Sequence, residues 1–210
     1  MSGTTGGRTS DLHKSAFWIY GVTAMVMREP FANVIRHAST AGLSDWQVRL
    51  EILRTVIVLV LMARLFLLLG IYFDEVYVRP ESAERFPRRS YPVDFLTGLM
   101  QLLTIVAASS TVSLHGRTRV GLPVFMVLTI AFLLFDIAWL AAAKLLRFSS
   151  AARIAGFAKF NEVTLAACVV GWGGVRIAGG DQVLADQIAL LIVLAMTLFD
   201  MGRLIRNYDN

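Results

Sequence analysis

The sequence predicts an all-α, polytopic integral membrane helix bundle: four or five transmembrane helices with an N-terminal interfacial amphipathic helix. Three observations predict it. Of 210 residues, 56% are hydrophobic and only 17% charged, against roughly 25% charged in an ordinary soluble domain. Mean hydropathy is +0.63. The apolar residues fall in blocks of about twenty, the length a helix needs to cross a hydrocarbon core. Such a chain is too apolar for disorder, and the block pattern argues against a water-soluble globule.

Residues 1–43 read as a polar tail and an interfacial helix, and 44–210 as the bundle. Residues 1–12 (MSGTTGGRTSDL) are small and polar. The apolar stretch 16–27 is too short to span. It is followed by Arg28, Glu29 and Pro30 rather than by a signal-type cleavage site. It is expected to lie in the interface with Trp18 and Tyr20 among the headgroups. Ser44 and Gln47 have capping-box spacing and are expected to open the first long helix.

The first span covers about 52–73 and is interrupted only by Arg54 and Arg64. A charged loop with three prolines, 74–93, separates it from the second span, 94–115. A short basic turn leads to the third span, 121–143, with Pro123 expected in its first turn, where a missing amide costs nothing. Residues 148–160 read as an interfacial connector. The Gly-rich segment 162–180 is either a weak span or a re-entrant segment. The last span covers 184–204. Non-helical backbone at membrane depth is tolerated only where protein or water covers it.

The formal net charge is +5. The basic residues cluster at the ends of apolar blocks, where Lys and Arg snorkel to lipid phosphates, so the basicity points to a bilayer and not to nucleic acid. Basic residues divide almost evenly between the two faces of a five-span bundle, so the positive-inside rule assigns no orientation. The single cysteine, Cys168, lies inside an apolar block and allows no intramolecular disulfide.

A polar stripe on the second span is the most informative feature. Asp94, Thr97, Gln101, Thr104, Ala108, Thr111 and His115 are spaced alternately three and four apart, which keeps them on one helix face. Such a face must meet protein or water. It predicts either the lining of an ion path or a polar helix–helix interface.

Arg64 and Asp136 lie at similar depths on two spans that run the same way. Their offset of three residues is roughly 4.5 Å of rise, within arginine's reach. They are predicted to pair as a gate or a packing lock, because an unpaired charge at bilayer centre costs roughly 2.5–3.5 kcal/mol. Asp200 lies three residues before Arg203, the spacing of a local ion pair. In a five-span bundle it falls on the same half of the membrane as Asp136. Ala167, Gly171, Gly174 and Ala178 form a small-residue face suited to close helix packing.

Only His115 of the three histidines touches a span, which argues against membrane haem. No zincin, P-loop or nucleophile-elbow motif is present. No catalytic residue, metal or cofactor is therefore expected. The expected function is an oligomeric ion channel or channel-like transporter whose second span lines the path. The alternative is a non-conducting membrane subunit or effector. Its protein partner would bind at loop 74–93 or at the N-terminal helix. With no cleavable signal in view and Ala- and Arg-rich usage, the expected location is a cell membrane, the bacterial cytoplasmic membrane.

Overall fold

Asp45, not Ser44, caps the first long helix: its Oδ1 accepts the Gln47 backbone amide at 2.8 Å, satisfying one of the four orphan donors of a helix start. The Ser44–Gln47 pattern is therefore displaced by one residue. The computed structural model describes residues 21, 25, 27, 28, 30–42, 44–73, 76, 77, 90–112, 118–148 and 150–208. Among these the chain is all-helical, with α1 (Trp46–Phe73), α2 (Tyr91–Val112), α3 (Thr118–Leu145), α4 (Ala151–Ile177) and α5 (Gln182–Tyr208). All five are long and apolar enough to cross a membrane, as a multi-pass membrane protein requires.

Two turns decide the count of spans. At the end of α3, Phe148 donates to the Ala143 carbonyl at 2.8 Å and Arg147 to Lys144 at 3.1 Å. This is a Schellman closure with Arg147 in the left-handed position at φ 55°. The chain turns so sharply that α4 starts at Ala151, and the stretch expected as an interfacial connector is helix. A second Schellman closure ends α4. Gly180 donates to Val175 at 2.9 Å and Gly179 to Arg176 at 3.2 Å, with Gly179 at φ 84°. Asp181 then caps α5 through the Leu184 amide at 2.7 Å. The Gly-rich segment is thus a continuous helix, not re-entrant backbone. Helix α3 begins at Thr118, so Pro123 sits inside it and not in its first turn.

Neighbouring helices pack α1 on α2, α2 on α3, α3 on α4, α4 on α5, and α5 back on α1, closing a ring. We call the end where α1, α3 and α5 begin the lower end, and the end where they finish the upper end. The main core joins Ile57, Leu61 and Leu65 of α1 to Ile105, Phe125, Phe132, Leu190 and Val193. A smaller upper core gathers Leu68, Tyr72, Trp139 and Ile154. Large apolar side chains such as Phe95, Leu103, Val169 and Val170 point outward, as lipid-facing surfaces do.

Residues 30–41 are helical, and Met27 and Val34 are buried in the main core. This part of the chain packs onto the bundle. The predicted interfacial stretch 16–27 lies largely outside the described residues, as does most of loop 74–93.

Candidate functional site

Each of the five helices sends one polar side chain to a common point in the upper half of the bundle. They are Arg64 from α1, Gln101 from α2, Asp136 from α3, Asn161 from α4 and Asp200 from α5. All are at most 1% exposed. Arg64 is the hub. Its Nε donates to Asp200 Oδ2 at 2.9 Å, its Nη2 to Asn161 Oδ1 at 3.0 Å, and its Nη1 lies 3.5 Å from Asp136 Oδ2. Guanidinium presents its donors in a rigid planar fork, so it can hold partners on several helices at once.

Asp136 is enclosed by donors. Gln101 Nε2 donates to its Oδ1 at 2.7 Å, and Asn161 Nδ2 donates to its Oδ2 at 2.9 Å. Arg203 Nη2 donates to the second oxygen of Asp200 at 2.8 Å. Arg203 itself stacks over the Phe160 ring at 5.4 Å. Two arginines therefore face two carboxylates, and the group is formally neutral. Charges this deep persist only when paired and hydrogen-bonded.

The Arg64–Asp136 juxtaposition was expected from helix depth. The closer carboxylate, however, is Asp200, which the sequence placed mainly in a local pair with Arg203. Asn161 was missed altogether, because it falls between the stretch read as a connector, 148–160, and the Gly-rich segment, 162–180. The signal lay in where α4 begins: a helix starting at Ala151 carries Asn161 into the apolar layer.

The polar stripe of α2 divides. Asp94 and Gln101 face inward and are 1% exposed, with Thr111 at 6%. Asp94 is held by three donors: the Tyr72 hydroxyl at 2.8 Å, the Tyr77 hydroxyl and the Trp139 indole N–H at 2.7 Å. Burial first, and then the bond to Asp94, raise the Tyr77 phenol above its ordinary range. Thr97 and Thr104 sit at the edges of the inward face and return their hydroxyls to the Val93 and Met100 carbonyls of their own helix. Thr111 does the same with Ala108. The gap beside Thr104, Ile105 and Ala108 has no room for a water. His115 lies outside the described residues.

Toward the lower end, Arg54 is also buried, at 1% exposure, and so does not snorkel as an end charge. Its Nη1 donates to the Thr111 carbonyl at 3.4 Å, beside Gly121. A Cβ at Gly121 would stand 3.3 Å from that nitrogen, so a larger residue would crowd the arginine. Glu51, one turn before Arg54, meets His37 Nδ1 at 2.9 Å.

The predicted small-residue face also divides. Gly171 packs against α5, where an added Cβ would fall 2.5 Å from Ile192 Cδ1. Ala167 is half-buried, whereas Gly174 and Ala178 are exposed.

Two neighbouring spaces lie toward the lower end. One, of about 440 Å³, lies between α3, α4 and α5. The other, of about 610 Å³, lies between the first turns of α1 and α5 and the start of α3. Pro123, Gln182 and Asp186 line both. No group of three or more His, Cys, Asp or Glu suited to a metal occurs among the described residues.

No protein-family model, curated protein or solved structure matches the chain. The fold and site define a class by themselves: a multi-pass α-helical membrane bundle tied across its five long helices by a neutral ionic knot.

Proposed function

We propose that the chain is a non-conducting membrane subunit or effector, the second of the two functions expected from the sequence. One observation carries this reading. The inward polar groups of α2, which an ion path would need, are occupied by hydrogen bonds within the chain: Gln101 to Asp136 and Asp94 to Tyr72, Tyr77 and Trp139. An ion crossing there would have to replace hydrogen bonds that satisfy buried carboxylates. Each one lost costs about 1–3 kcal/mol. The knot then serves to hold five helices in one register, and the protein acts through what binds its surface or its lower end. Its place is a cell membrane, read from composition as the bacterial cytoplasmic one.

The test is ion flux through proteoliposomes containing the purified protein, beside the Gln101→Leu variant and empty vesicles. The expected result is no selective flux above empty vesicles, with Gln101→Leu impairing assembly and lowering the thermal midpoint. Selective flux that Gln101→Leu alters, with assembly intact, would overturn the reading. It would restore an oligomeric channel lined by α2.

A further inference from the structure

Asp186 stands apart from the other buried carboxylates of the bundle. It is 6% exposed, and among the described residues its carboxylate has one hydrogen-bond partner, the Trp172 indole N–H at 2.9 Å. Asp136 and Asp200 each contact Arg64, whereas no cation among the described residues pairs with Asp186. Arg176, at the same end, donates instead to the Gly180 carbonyl at 3.2 Å. A buried carboxylate with one neutral donor is poorly compensated.

This carboxylate lines both lower spaces. Beyond it runs the cleft of about 440 Å³, walled by Met126, Ile130, Leu133, Leu165 and Val193. The volume lies within the range of small-molecule sites, which are mostly apolar with a few placed polar groups. Trp172 lines the cleft and Trp46 the mouth, and indole faces attract cations.

We propose that this cleft binds an amphipathic organic cation, its charge at Asp186 against Trp172 and its apolar body among the side chains of α3, α4 and α5. The apolar wall excludes small hydrated ions, which would lose their water with too few oxygens in return. The lone carboxylate disfavours anions and gives a neutral amphiphile no advantage. The cation can come from the aqueous phase or be the amine headgroup of a phospholipid. The inference is independent of whether the protein conducts ions.

The experiment uses the full chain in nanodiscs of phosphatidylglycerol and measures binding of radiolabelled tetraphenylphosphonium against empty discs. The expected result is saturable binding at one site per chain. Asp186→Asn, which keeps an oxygen to accept the Trp172 N–H, should weaken binding at least tenfold while eluting as folded protein. Asp181→Asn, on the exposed turn, should leave it unchanged. Cys168 lines the same cleft and is the only cysteine, so occupancy should also slow its alkylation by a small maleimide. Repeating the titration with phosphatidylethanolamine in the discs separates the sources. Competition by that lipid assigns the site to a lipid amine, and unchanged binding assigns it to a soluble cation. Absence of saturable binding to folded protein, or equal binding by Asp186→Asn, would overturn the proposal.

Discussion

The upper and lower halves of this bundle treat buried charge in opposite ways. Above, Asp136 and Asp200 share Arg64 with side chains from every helix, and each carboxylate accepts on both oxygens. Below, Asp186 accepts one hydrogen bond, from a tryptophan, and faces a cleft. The two regions belong to the same helices and meet the same surrounding solvent. They differ in how many helices supply interacting polar groups: five at the knot, but among the described residues only α4 and α5 at Asp186. Where all helices deliver a polar group, they also close the space between them. Where only two do, a carboxylate and a cavity remain side by side. The upper half is therefore the part that holds the fold, and the lower half the part free to bind.

The sharpest way to break this comparison is Arg64→Leu. It would leave Asp136 and Asp200 buried without their shared cation, and removing one partner of a buried pair costs about 3–5 kcal/mol. The variant should fail to accumulate as monodisperse protein in size-exclusion chromatography. Normal yield and thermal midpoint would mean that the knot is not what holds the helices together. Arg64→Lys should rescue only in part, since an ammonium cannot reproduce the planar fork.

Asp136→Asn tests the same region more gently. It turns an acceptor oxygen into an amide that must face the donors of Arg64, Gln101 or Asn161, a loss of about 1–3 kcal/mol. A lowered thermal midpoint is expected. Insertion and assembly equal to the original would count against the Arg64–Asp136 interaction.

A smaller effect belongs to pH. The Tyr77 phenol is raised by burial and by Asp94, so the unfolded chain loses that proton near about pH 10 while the folded chain keeps it. Stability is then unaffected below that pH and falls as pH rises beyond it. Thermal midpoints across that range should fall less steeply in Tyr77→Phe than in the original, and parallel curves would remove Tyr77 from the account.

The least stability change is expected at the lower end. Asp186→Asn should shift the thermal midpoint little or raise it, because it removes a charge that no cation among the described residues pairs and keeps the Trp172 bond. A fall as large as that of Asp136→Asn would show that Asp186 is a structural lock like the upper carboxylates, and the contrast between the halves would be lost.

Much of this was legible beforehand, for a definite reason. Hydropathy blocks report on lipid directly, so the helical membrane fold follows from residue order alone. Depth along a span is set by rise per residue, so Arg64 and Asp136 could be placed level with each other before their helices were placed side by side. The three-and-four spacing from Asp94 to Thr111 likewise marked one face of α2. Whether that face met water or protein was a different matter. It depended on which helices stood opposite, and Asp136, Trp139 and Tyr72 came from α3 and α1.

The misread parts share a cause. Segment 148–160 is rich in small and basic residues and lacks a strong apolar signal, so its helix was invisible until the turn at Arg147 set where α4 begins. With that start went Asn161. Burying an arginine in lipid is costly, so nothing local places Arg54 inside; the Thr111 carbonyl and the space at Gly121 that accommodate it lie on other helices. The sequence by itself determined the medium, the helices and the levels of their charges, because these depend on local composition and a fixed rise per residue. Only the tertiary structure decided that five helices close on one neutral knot while leaving Asp186 beside a cleft. Hydrogen bonds and cavities are properties of which surfaces face each other, and no single helix carries that information.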